Sequence, residues 1–217
     1  MTTRIIIARH GNNFTKEQTP LRVGARTDLP LVETERGTNI GKYLKMRTLI
    51  PAVVFAAPLK RTTETARLAI AALDKDIPRV AASRFTEIDY GPDEGKPETE
   101  VVARVGQEAM DAWEREAIVP AGWNVSVDAI IKAWKDFAAE VERDYKDKTV
   151  MVVSSNGIIR FAPHLTGNFK KFSEEFDIKV GTGGVCILEK EDGDAYWTVK
   201  EWGIKPKDKL TDAVKSH

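Results

Sequence analysis

The chain has a single cysteine, Cys186, and only three histidines, His10, His164 and His217. A lone cysteine closes no intrachain disulfide, which points to a reducing compartment and to the cytoplasm as the expected location. So few His and Cys residues, at no ligand spacing, exclude a zinc module, and no metal or cofactor is expected. No apolar run approaches the roughly 20 residues that span a bilayer, so no membrane partner is expected. The opening Met1-Thr2-Thr3-Arg4 lacks a signal-peptide pattern. Excess charge is absent too: 33 Lys and Arg balance 33 Asp and Glu. That balance argues against nucleic acid as a partner, although net charge says nothing about a single cleft. Repeats, low-complexity segments and a clear linker are also missing.

What is present is an alternation of β-branched runs with helical periods. Strands are expected at 4–9, 52–56, 79–83 and 149–154, with helices between them, which implies a mostly parallel sheet. Two further strands, 184–189 and 196–202, flank Glu191-Asp192-Gly193-Asp194 and read as an antiparallel hairpin. Helices are expected at 34–46, 62–73, 98–116, 126–145 and 157–165. Helix 126–145 has the strongest period, through Ile130, Trp134, Phe137, Val141 and Tyr145. The expected fold is a three-layer α/β/α domain over 1–205, helices on both faces of the sheet. The stretch from about 84 to 124 forms a small cap insertion, and 206–217, with His217 at its end, is a loose polar tail. Self-association is left open.

Chemistry concentrates where the expected strands end, the usual place for a ligand in an α/β sheet. The apolar run Ile5-Ile6-Ile7-Ala8 leads into Arg9-His10-Gly11. Arginine is a permanent cation with a fork of donors suited to phosphate, and a histidine beside it can carry a phosphoryl group. Alone, the tripeptide is more readily a turn than a site. Lys16 and Arg22 follow in a polar segment. Arg61 comes at the start of a helix, where backbone N–H groups favour anions. Glu87 follows the third strand, and Ser154-Ser155-Asn156-Gly157 the fourth. Singly, each has an ordinary explanation: a solvated arginine, an ion-paired glutamate, a helix cap. Together, at successive strand ends, they favour a phosphate site.

Several stretches, in order, resemble motifs of the histidine phosphatase superfamily, also called phosphoglycerate mutase-like. They are Arg9-His10-Gly11; Asp28-Leu29-Pro30-Leu31 with Gly37 after it; Ala57 through Ala66; Glu87 to Gly91 and on to Gly95; and Val153-Ser154-Ser155-Asn156-Gly157-Ile158-Ile159-Arg160. The likeness runs from Arg4 to about Trp202. It implies that His10 becomes a phosphohistidine, that Arg9 and Arg61 hold the phosphoryl oxygens, and that Glu87 protonates the leaving oxygen and then activates water. Lys16, Arg22, Ser155 and Asn156 complete the expected phosphate-binding set, and the expected partner is a small phosphorylated metabolite.

Four departures stand out. Ser155 occupies the place of the family's second histidine, and loss of one such donor costs about a hundredfold to a thousandfold in rate. His164, about two helical turns further on, is too distant to replace it. Lys16 replaces a frequent asparagine, Gly122-Trp123-Asn124 replaces Gly-Glu-Ser, and Asp93 replaces a tryptophan before Glu94. Trp113 and Trp123 are expected at a partly apolar mouth. The expected activity is hydrolysis of a small phosphomonoester. A mutase ranks below it, because the mutase-typical sequence after the first motif is absent. A phosphate-binding domain without turnover is the alternative that Ser155 favours.

Overall fold

The computed structural model describes residues 1–215. All the expected strands form, most with shifted ends: β1 (Thr2–Arg9), β2 (Val53–Ala56), β3 (Arg79–Ala81), β4 (Thr149–Ser154, as expected), β5 (Val185–Glu191) and β6 (Thr198–Ile204). They make one sheet in the order β3-β2-β4-β1-β5-β6. Pairs β1/β4, β2/β4 and β2/β3 are parallel, while β5 runs antiparallel to β1 and β6 antiparallel to β5. The antiparallel edge follows from its connection: Gly193 takes φ +91° in the tight turn after β5, and a turn that short cannot bridge parallel strands.

The central strands are apolar on both faces because helices cover both. Ile5, Ile7, Phe55, Val150 and Val152 face one core, where α5 (Val127–Asp144) packs Trp134, Phe137 and Val141. Ile6, Ala8, Val54, Met151 and Val153 face the other, closed by α1 (Glu35–Met46) and α2 (Lys60–Leu73). Alternation along each strand sends successive side chains to opposite cores. Helices α1 and α2 touch closely at glycines: a Cβ on Gly41 would stand 2.1 Å from the Ala69 carbonyl oxygen. Asp28 caps α2 from outside the helix, its Oδ1 accepting the Lys60 N–H at 2.7 Å.

Some helices differ from expectation. The single helix expected over 98–116 is two, α3 (Glu98–Val105) and α4 (Gln107–Glu116), because Gly106 at φ +89° breaks it. The helix expected over 157–165 is one turn, α6 (Asn156–Ile159), followed by a 3₁₀ turn at Ala162–Thr166 that contains Pro163. An unexpected helix, α7 (Phe169–Glu175), is too short to show a period and is capped by Asn168, whose side chain accepts the Lys171 N–H. The loose tail expected at 206–217 is overturned over residues 206–215: α8 (Pro206–Lys215) starts on a proline and packs against α1, with Lys207 3.0 Å from Glu35. Its polar composition hid a helix that tertiary contact supports. His217 lies outside the described residues. Among those residues, no helix is long and apolar enough to cross a membrane.

Candidate active site

The C-terminal ends of β1 and β4 are adjacent, and the His10 N–H donates to the Ser154 carbonyl across them at 3.1 Å. Next along the chain, the Gly11 N–H donates to Thr65 Oγ1 on α2 at 3.0 Å. The His10 ring is pinned as well: Nδ1 lies 2.7 Å from the Gly11 carbonyl oxygen. A carbonyl only accepts, so Nδ1 carries the proton and Nε2 keeps its lone pair. Burial, then the charges of Arg9 and Arg61, hold the imidazole well below its usual pKa. It is therefore neutral at pH 7, the form a nucleophile needs.

Glu87 comes from the segment after β3. Its Oε1 accepts the Ile88 N–H at 2.9 Å, and its Oε2 accepts the Gly157 N–H at 3.2 Å and the Tyr90 hydroxyl at 3.4 Å. Burial pushes its pKa up, against the pull of the Ile88 N–H, Arg61, the Gly157 N–H and Arg9. Burial thus moves the two groups in opposite directions, the Glu87 carboxyl up and the His10 imidazole down.

Both groups line a cleft of about 810 Å³, together with Arg9, Lys16, Arg22 and Asn156. Arg9 donates through Nη1 to the Val180 carbonyl at 2.6 Å, and its buried Nε has no partner. Lys16 is exposed. Arg22 is ion-paired to Glu98 and lies over the rings of Tyr90 and Trp123 at 5.1 and 5.0 Å. Asn156 accepts the Val180 N–H on Oδ1 at 2.9 Å.

Two expected site residues stand outside the lining. Arg61 is fully buried and gives Nη1 to the Thr27 carbonyl and Nη2 to that of Gly24, at 2.9 and 3.2 Å; its Nε has no partner. Its charge still bears on His10 and Glu87. Ser155 is fully buried, and its Oγ has no partner. The neighbouring Ser154 is structural, donating to the Phe85 carbonyl. His164 stacks on Phe169, ring centroids 4.3 Å apart, and does not line the cleft. Trp113 does line it, whereas Trp123 instead donates its indole N–H to Asp93 at 2.7 Å.

The cleft also holds residues outside the expected site set. Tyr90, Arg160, Glu114, Arg36 and Lys179 line it. Arg160 is 1% exposed and lies 3.7 Å over the Trp113 ring. One signal was available: Arg160 is a lone charge inside an apolar run, Ile158-Ile159-Arg160-Phe161-Ala162. A buried charge of that kind is costly and needs partners. No group of three or more His, Cys, Asp or Glu side chains among the described residues is arranged to hold a metal ion.

A model of the histidine phosphatase superfamily (branch 1) matches residues 5–205. The chain belongs to that superfamily. It is thus a member of an enzyme family that includes phosphoglycerate mutases. A 2,3-bisphosphoglycerate-dependent phosphoglycerate mutase of Bifidobacterium longum is 32% identical over 124 residues, 55% of this chain and 49% of that protein. One from Corynebacterium diphtheriae is 33% identical over 125 residues, again 55% and 49%. The chain spans about half the length of these curated relatives.

Solved structures extend the likeness of fold over most of the chain. A mycobacterial glucosyl-3-phosphoglycerate phosphatase has TM-score 0.73 at 18% identity, over 94% of this chain and 99% of that one. The α-ribazole phosphatase of Shigella flexneri has TM-score 0.69 at 18% identity, over 93% and 96%.

Proposed function

We propose that this superfamily member is a phosphatase that hydrolyses a small phosphomonoester through a phosphohistidine on His10. The observation that carries the reading is the His10 ring: its Nδ1 proton is held by the Gly11 carbonyl, so a neutral imidazole presents Nε2 beside Arg9 and Glu87. In the first step Nε2 forms a bond to phosphorus as the ester P–O bond breaks, and the Glu87 carboxyl gives its proton to the leaving oxygen. In the second step water attacks the phosphohistidine, Glu87 takes a proton from it, the P–N bond breaks and inorganic phosphate departs. Arg9 and Lys16 supply positive charge where the phosphoryl oxygens develop theirs, and Asn156 adds a polar wall. Arg61 acts from behind, by charge on His10 and Glu87 and by tying the loop at Gly24 and Thr27 to α2.

The substrate of this reading is a phosphorylated small molecule, and the compartment is the cytoplasm. Cys186 is buried with its thiol pushed up to about 12, a packing residue with no redox role.

Phosphate release from p-nitrophenyl phosphate tests the reading. Wild-type protein turns the ester over and His10→Ala does not; quenching during turnover traps an acid-labile, alkali-stable phosphoenzyme. Equal turnover by His10→Ala overturns it. Inorganic phosphate binding without any turnover favours the binding-domain reading instead, in which the unpartnered Ser155 marks the lost function.

A further inference from the structure

Residues 10–34, between β1 and α1, form no helix or strand of their own. Connections that long are uncommon in a compact domain and usually carry function. Two contacts hold this one in place. The Val32 N–H donates to the Asn12 carbonyl at 2.9 Å, two residues after His10. Leu21 pairs with Pro97 in a short antiparallel bridge, and the Arg22 N–H donates to the Lys96 carbonyl at 2.9 Å. The connection therefore reaches from beside His10 to the segment before α3.

Four of its apolar side chains, Phe14, Leu21, Val23 and Val32, line the cleft. None of them belongs to either core. Leu21 is 38% exposed and Val32 41%. Among the described residues, Phe14 is the one phenylalanine whose ring meets no other ring. One exposed apolar side chain is ordinary; four from one connection, gathered in one cleft, mark a ligand surface. The Trp113 ring, by contrast, is already covered by the Arg160 guanidinium.

The charged groups of the cleft act on a different part of the substrate. Arg160 and Lys179 share the one carboxylate of Glu114, so that cluster is net positive and adds to Arg9 and Lys16. Such charge draws the phosphoryl group, which every phosphomonoester has. Esters differ in their alcohol part, and the cleft of about 810 Å³ has room for one. Burying hydrocarbon against Phe14, Leu21, Val23 and Val32 removes apolar surface from water on both partners.

We propose that Phe14, Leu21, Val23 and Val32 are specificity-determining residues: they make the cleft favour phosphomonoesters of hydrocarbon-rich alcohols. The inference rests on the phosphatase reading and adds the substrate class to it.

Ethyl, butyl and hexyl phosphate test it, because their leaving alcohols are equally poor and differ in chain length alone. In wild-type protein kcat/KM is expected to rise about two- to fourfold per methylene. Phe14→Ala and Leu21→Ala, both outside the cores, are each expected to cut the hexyl-to-ethyl ratio by about tenfold. Val80→Ala trims an exposed side chain on β3, outside the cleft, and should leave that ratio unchanged. A wild-type ratio near one overturns the inference, as does a ratio unmoved in both cleft variants or lowered as much by Val80→Ala. Higher kcat/KM for 3-phosphoglycerate than for hexyl phosphate also overturns it, and gives the selection to the net positive cluster. If neither the alkyl esters nor p-nitrophenyl phosphate are turned over, the phosphatase reading has failed. The ratio of calorimetric Kd values for hexyl and ethyl phosphate, in wild type and the same variants, then decides the role of the apolar residues separately.

Discussion

Gly157 and Glu87 are in contact through the backbone: the glycine N–H lies 3.2 Å from Oε2, and a Cβ on that glycine would stand 2.3 Å from Oε1. No side chain fits between them. The same Cβ would be 2.9 Å from Ile88 Cγ1, so it would crowd two side chains at once. Gly157→Ala is therefore expected to move the Glu87 carboxyl and lower kcat by about a hundredfold, as small displacements of catalytic groups do. Stability should fall by about 1–3 kcal/mol, the range for overpacking, with the fold retained. Steady-state kinetics and urea denaturation read the two effects; full activity in the variant would show that Glu87 needs no such placement.

The rate should depend on pH through two groups. His10 must be neutral to attack, and its pKa is lowered, so the acid limb lies below the ordinary histidine value of 6.5. Glu87 must be protonated in the first step, and its pKa is raised, so activity falls as pH rises through a value above 4.5. Glu87→Gln is expected to remove that alkaline limb. It should also slow an alkyl ester, glycerol 3-phosphate, by about 10²–10⁴-fold. p-Nitrophenyl phosphate should be slowed less, because its leaving group needs less help. An unchanged alkaline limb in the variant would assign the acid to another residue.

Ser155 has an unpartnered, buried hydroxyl where the superfamily resemblance places a histidine. If a donor is missing from the phosphoryl cradle, Ser155→His should raise kcat by up to about a hundredfold to a thousandfold. Ser155→Ala, which removes only the idle hydroxyl, should leave kcat within about threefold of wild type, since an unpaired group contributes little. A large loss in Ser155→Ala would instead make that hydroxyl a working donor. Phosphate-release kinetics on the two variants distinguish these outcomes.

Gly41 carries the closest approach of α1 to α2, and α2 in turn holds Arg61 and Thr65 under the site. A Cβ there would meet the Ala69 carbonyl oxygen at 2.1 Å, and backbone cannot give way as a side-chain tip can. Gly41→Ala is expected to destabilise the protein by about 1–3 kcal/mol or more. Chemical denaturation measures it. Thr65 accepts the Gly11 N–H, so a smaller loss of activity should accompany the stability loss.

Much of this was legible in the sequence, for identifiable reasons. β-Branched apolar runs such as Ile5-Ile6-Ile7-Ala8 and Val150 to Val153 read as short strands buried on both faces, so the parallel centre of the sheet was readable. His10, Glu87 and Asn156 were readable as a group because each follows a strand, and ends of parallel strands share one edge of the sheet. Helix ends were less so: a glycine at positive φ split α3 from α4, and α8 depends on α1 for support that its own polar composition does not announce.

The sequence by itself determined the layered fold, the strand-end placement of His10 and Glu87, and the family, because local periodicity and ordered motifs are properties of the chain. Only the tertiary structure decided which cations remain free. Arg61 and Arg22 read alike as phosphate ligands, yet one is tied to the carbonyls of Gly24 and Thr27 and the other to Glu98. Arg160, the last residue of one motif, and Glu114, which belongs to none, come within 3.8 Å of each other. Pairing of charges far apart in the chain is set by how the elements pack, and that distance is not written in any local pattern.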